Sequence, residues 1–196
     1  MIEIRWHARA GQGAVTAAKA LADAAIAEGK YVQAFPDYGP ERMGAPVKAF
    51  NRIAGEPIQA RGIVESPSVV VVVDPTLVGA DGSAVTASTS ADAVFIVNTS
   101  KTPAEAQRVL GANRRVFTVD ANAIAQETIG LRKPNTPMLG ALARVTGIIE
   151  IETLLSKTEI SFGKKFDARI VEGNLQAIRR AYDEVAGALQ PEVVAL

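Results

Sequence analysis

The sequence predicts an α/β fold, a three-layer α/β/α sandwich around a mixed sheet, on three observations. Ile2, Ile4 and Trp6 alternate with Glu3, Arg5 and His7, the period-two pattern of a strand with one wetter face. Three short apolar runs, Val69–Val73, Val94–Val97 and Val116–Val119, fit strands buried on both faces beneath helices. Helical stretches with start and stop signals lie around them. The 196 residues, 48% hydrophobic and 21% charged, suit one compact domain over residues 1–196 and are too apolar for a disordered chain.

After the first strand comes Ala10-Gly11-Gln12-Gly13, then an Ala-rich stretch from Ala14 to about Glu28, predicted as a helix packed closely on the sheet. Gly29 stands where a helix end favours a left-handed residue. Tyr31 to Phe35 is predicted to return as a strand. Pro36 to Pro46, with three prolines and two glycines, is predicted to be irregular. Val47 to Ile53 and the stretch around Ile58 are predicted to pair as a hairpin across Ala54-Gly55-Glu56. Thr102-Pro103-Ala104-Glu105 is a helix start, with a cap, a proline at the first position and an acid able to reach back. A last amphipathic helix is predicted at about 171–189, with Leu175, Ile178, Ala181, Tyr182 and Val185 on one stripe.

Composition excludes several functions. Lys plus Arg and Asp plus Glu both number 21, so there is no cationic excess to displace counterions from nucleic-acid phosphates. The chain has no cysteine, which removes thiol nucleophiles, disulfides and thiolate-held metal clusters. A single histidine, His7, excludes a His-rich metal site and gives no partner for an activated serine. It is expected to be a surface or core histidine. The N-terminus lacks the apolar core of a secretory signal and no run is long enough to span a bilayer, so a cytoplasmic protein is expected. These residues do not assemble a complete catalytic apparatus.

Candidate binding residues fall in three groups. Gly11, Gln12 and Gly13 form a strand-to-helix turn whose amides and helix dipole can cradle an anion, such as a cofactor phosphate. Thr16 stands where a dinucleotide fingerprint has its third glycine, so the alternative is a tight turn that admits a neighbouring backbone. Asp37, Tyr38, Glu41, Arg42, Gly44 and Pro46 lie in the proline-rich segment, which is expected to be an interface or substrate-facing loop; an Arg42 ion pair with Glu41 or Asp37 is the other reading. Asn135 and Thr136 precede Pro137, Met138 and Leu139, either a ligand-facing segment or an ordinary helix start capped by Thr136. Asp74, Asn98 and Asp120 end the three apolar runs, as ligand contacts at the strand ends or as caps. Lys164 and Lys165, after Gly163, reach a phosphate or are solvated surface.

Four segments together resemble the gamma subunit of the 2-oxoacid:ferredoxin oxidoreductases, the pyruvate:ferredoxin oxidoreductase family. They are Arg9 to Ala18, Tyr38 to Val47, Val73-Asp74-Pro75-Thr76-Leu77 and Asn135 to Gly140, in order across the chain to about Lys165. Ala8 and Ala10 depart from the glycines that the family carries before Gly11. The resemblance implies one α/β/α subunit of a hetero-oligomer that decarboxylates a 2-oxoacid with thiamine diphosphate. Electrons pass through [4Fe-4S] clusters to ferredoxin or a similar acceptor, and coenzyme A takes the acyl group. Both cofactors would sit in alpha, beta and delta-type partner subunits, with no catalytic or metal residue in this chain. Asp81-Gly82 is not a thiamine motif, since Ala80 replaces the expected glycine. The competing reading is a free-standing nucleotide-binding α/β domain.

Overall fold

The computed structural model describes residues 1–37, 44–79, 83–111 and 113–187. Along the chain run β1 (Ile2–Arg9), α1 (Ala14–Ala27), β2 (Tyr31–Asp37), β3 (Pro46–Ala54), β4 (Val69–Val72), a 3₁₀-helix (Pro75–Val78) and α2 (Ser83–Thr86). They are followed by β5 (Val94–Asn98), α3 (Pro103–Leu110), β6 (Arg115–Val119), α4 (Ala121–Ile129), α5 (Asn135–Thr146), α6 (Ile151–Gly163) and α7 (Ala168–Glu184). The strands form one sheet in the order β2-β3-β1-β4-β5-β6. β1, β4, β5 and β6 are parallel; β3 pairs antiparallel with β1, and the edge strand β2 pairs antiparallel with β3. The mixed α/β/α sandwich expected from the apolar runs is therefore the observed architecture.

Each face of the sheet carries its own core. Ile2, Ile4, Trp6, Val69, Val71 and Ile96 pack with α1, α5 and α7 on one face. Val70, Val72, Phe95 and Val97 pack with Val85, Ala106 and Leu110 on the other. Runs buried on both sides leave no solvated alternation in β4 and β5, which is why Val69–Val72 and Val94–Val97 read as continuous apolar runs. The indole of Trp6, fully buried, donates to Asn51 Oδ1 at 2.8 Å, and Asn51 donates in turn to Ala18 O at 2.8 Å. That chain satisfies the polar atoms of two buried side chains while tying β1, β3 and α1 together. α5 and α7 cross so closely that a Cβ on Gly140 would lie 2.0 Å from Ile178 O.

Four expectations are corrected. β1 has no wet face: Arg5 is 5% and His7 4% exposed. Arg5 is accommodated because its guanidinium donates to the carbonyls of Val85 at 3.1 Å and Ala87 at 2.7 Å. Burial first, then the charges of Arg5 and Lys48, push the His7 pKa down to about 3, so it is neutral. The hairpin across Gly55 does not form, for β3 pairs with β2 and β1 and the stretch around Ile58 is not a strand. Pro36 and Asp37 belong to β2 and Pro46 to β3; β2 is an edge strand, where a residue without an N–H is tolerated. The last helix runs Ala168–Glu184 rather than about 171–189. It starts early because Asp167 accepts from Ile170 N, and it stops because Ala186 leaves to exchange backbone bonds with Thr118 on β6.

Other local expectations match. α1 begins at Ala14, and Gly29 after it has φ +76°. Thr102 and Glu105 close a capping box at the start of α3. No helix among the described residues is long and apolar enough to cross a membrane.

Candidate functional site

From β1 the chain goes to one side of the sheet through α1, while β4, β5 and β6 fill the other side. The crevice of such a sheet opens beyond the carboxyl ends of the strands where the order reverses, here β1 and β4. Two of the four motif segments leave the sheet at that point, and residues of the other two meet them there.

Arg9, the last residue of β1, is the centre of the cluster. Its Nε and Nη2 donate to Thr76 Oγ1 at 3.1 and 3.0 Å, and its Nη1 donates to Gly44 O at 3.0 Å. Ala10 N donates to Ala45 O at 2.8 Å, so the turn is also pinned to the strand entering β3. Gln12 spans the gap with both ends of its amide: Oε1 accepts from Arg9 N at 2.8 Å and Nε2 donates to Asp74 Oδ2 at 2.5 Å. Asp74 caps the 3₁₀-helix, its Oδ1 accepting from Thr76 N at 2.8 Å and Thr76 Oγ1 at 2.6 Å. Burial would raise the Asp74 carboxyl, but the hydroxyl and amide of Thr76, the Gln12 amide and the Arg9 charge together hold it below the usual carboxylate range.

Gly13 closes the turn with φ +83°, and a Cβ there would lie 2.8 Å from Asn135 Cγ and Nδ2. Two constraints therefore demand glycine: left-handed backbone and the Asn135 side chain lying against it. The close approach offered by this turn is to a neighbouring element of the same chain. α1 then starts without a side-chain cap, so its first amides have no side-chain acceptor. These amides favour a negatively charged group at the start of α1, while the Arg9 charge is balanced by Asp74, whose Oδ2 lies 3.5 Å from Arg9 Nε. No group of three or more metal-binding side chains occurs among the described residues.

The structure thus brings Gly11, Gln12, Gly13, Gly44 and Asn135 into one neighbourhood, with Pro46 opposite Arg9 in the strand register. Asp37 ends β2 opposite Lys48 on β3. Tyr38, Glu41 and Arg42 lie outside the described residues. Thr136 does not cap α5; the helix starts at Asn135, two residues before the expected Pro137, and Thr136 is 2% exposed within it. Asn98 and Asp120 are structural, Asn98 donating to Val73 O at 2.8 Å and Asp120 accepting from Ala123 N at 2.9 Å. Sequence reasoning did not place Arg9, Asp74 and Thr76 together. The Asp74-Pro75 strand end was the available signal, but its partner lies 62 positions away in the chain.

The model for pyruvate ferredoxin/flavodoxin oxidoreductase matches residues 3–184. The pyruvate synthase subunit PorC of Thermotoga maritima is 50% identical over 183 residues, 93% of this chain and 94% of that protein. The pyruvate/ketoisovalerate oxidoreductases common subunit gamma of Pyrococcus abyssi is 46% identical over 185 residues, 94% of this chain and 97% of that protein. A crystal structure of the pyruvate oxidoreductase subunit PORC from Thermotoga maritima superposes with a TM-score of 0.83 at 46% identity, covering 95% of this chain and 98% of that one. A match over nearly the whole chain, in sequence and in three dimensions, places this chain in the pyruvate ferredoxin/flavodoxin oxidoreductase family.

Proposed function

We propose that this chain is the gamma subunit of a multi-subunit oxidoreductase that decarboxylates a 2-oxoacid and passes the acyl group to coenzyme A. One observation carries the reading: the four segments that resemble the family converge on the cluster around Arg9, at the end of the sheet where α/β folds place ligands. The subunit acts as a single domain over residues 1–196. The end of the sheet at the glycine turn faces the sister chains and helps to enclose the active site or the phosphate-bearing part of coenzyme A. Asp37, Tyr38, Glu41 and Arg42 belong to the same interface through the segment that joins β2 to Gly44.

Electron transfer and thiamine chemistry are assigned to alpha, beta and delta-type subunits, with ferredoxin or a similar carrier as acceptor. A chain without cysteine cannot supply the thiolates that a [4Fe-4S] cluster requires. Free-standing nucleotide binding is less well supported. The match to the oxidoreductase family runs over residues 3–184, and the relatives are named as subunits of larger enzymes. Relatives described as common to pyruvate and ketoisovalerate oxidoreductases favour a second feature, namely that one gamma chain serves more than one set of sister subunits.

Native mass spectrometry on the affinity-tagged chain, isolated anaerobically from its own cells, tests the reading. Recovery with larger chains carrying thiamine diphosphate and iron–sulfur clusters is expected, and two such sets where the chain is shared. Recovery as a lone 20.6 kDa species would refute it. In the recovered complex, Arg42→Ala is expected to lower turnover or loosen assembly.

A further inference from the structure

The 3₁₀-helix has two sides. Asp74 and Thr76 support the glycine turn, while Pro75 and Val78 wall a separate cavity of about 310 Å³ on the opposite side. Its floor is made by Val97 at the end of β5 and Ala106 on α3, which are 3% and 7% exposed. The polar lining consists of Thr99 and Lys101. Thr99 Oγ1 accepts from Lys101 N at 3.2 Å, and its own proton has no acceptor among the described residues. Lys101 has no carboxylate at ion-pair distance among the described residues. The nearby Glu105 carboxylate is hydrogen-bonded in the capping box with Thr102 and acts on Lys101 only through its charge, without a direct ion pair.

We propose that this cavity is a second binding site, for a small monocarboxylate with a compact hydrocarbon body. The apolar floor takes the hydrocarbon, and the Lys101 ammonium, in no ion pair among the described residues, takes the carboxylate together with the Thr99 hydroxyl. At about 310 Å³ it is at the lower end of small-molecule sites, too small for a dinucleotide or a whole coenzyme A. It lies beside the glycine-turn crevice and separate from it, so its ligand is an effector and not the acyl carrier. A ligand resting on Pro75 and Val78 bears on the same 3₁₀-helix that holds Gln12 and Arg9.

Titration of the full chain with phenylacetate, followed by backbone amide NMR, tests the site, with neutral phenylacetamide as the control. Saturable shifts at Val78, Val97 and Ala106 are expected, with phenylacetate about tenfold tighter than the amide, a ratio worth roughly 1.4 kcal/mol. Lys101→Met, an exposed substitution that spares the core, is expected to erase that preference. Ala106→Leu is expected to block both ligands by filling the floor. No saturable shifts, equal affinity for acid and amide, or binding unaltered by Lys101→Met would each overturn the proposal. None of these results bears on whether the chain assembles with sister subunits, which the mass measurement reads separately.

Discussion

Asp74 gathers four interactions on one carboxylate, and its removal should be felt beyond its own turn. In Asp74→Ala the amides of Gln12 and Thr76 lose their acceptor inside a half-buried cluster, a loss of roughly 1–3 kcal/mol. Urea unfolding of the variant checks this, with an unchanged m-value confirming that the fold is retained. The pH dependence follows from the sign of the shift. The carboxyl is held below its ordinary value, so its contribution is complete above about pH 4 and is lost as pH falls through the lower folded value. His7 acts over a higher range. It is neutral when folded, with a pKa of about 3, and protonates near 6.5 when unfolded. The unfolded state therefore binds the extra proton, and stability declines as pH drops from 6.5 toward 3. The melting temperature should fall between pH 7 and pH 5, and should fall less in His7→Gln. Of this site the glycine turn was legible, because glycine and strand-to-helix patterning are local. The Arg9–Asp74 relation was not, because nothing in either segment encodes the other.

Among the elements, α5 and α7 show how backbone proximity makes glycine obligatory without any left-handed angle. A methyl on Gly140 would lie 2.0 Å from Ile178 O and 3.1 Å from Tyr182 N, both main-chain atoms that cannot swing aside. Gly140→Ala should therefore force the helices apart and destabilise by about 3 kcal/mol, the upper end of overpacking effects. Gly163, at the end of α6, has open space around the same position, and Gly163→Ala should be neutral or gain up to about 1 kcal/mol. Thermal melts of the two variants side by side separate close approach from simple helix propensity. Gly13→Ala combines a left-handed angle with the Asn135 contact, and should lower activity of the assembled enzyme more than it lowers the stability of the chain. Element type was read well from the sequence where the signal is local: the capping box at Thr102, the apolar runs, the alanine helix. The misplaced hairpin shows the limit. β3 reads as half of a hairpin with whatever follows it, yet its partners β2 and β1 precede it.

At the scale of the molecule, a sheet covered on both faces leaves its carboxyl end as the place where four separated segments meet. Zero formal charge gives little repulsion between chains, which fits a subunit of an assembly. Composition alone determined that this chain holds no thiolate cluster and no histidine metal site, because those functions need residues it does not have. Patterning determined the α/β class, because helix and strand periodicities are properties of neighbours in sequence. Only the tertiary structure decided that β1 is buried on both faces, that Gly13 is required by Asn135, and that Arg9, Gln12, Asp74 and Thr76 form one cluster. Those facts depend on contacts between residues up to 122 positions apart, which come within reach only after the strands have taken their places in the sheet.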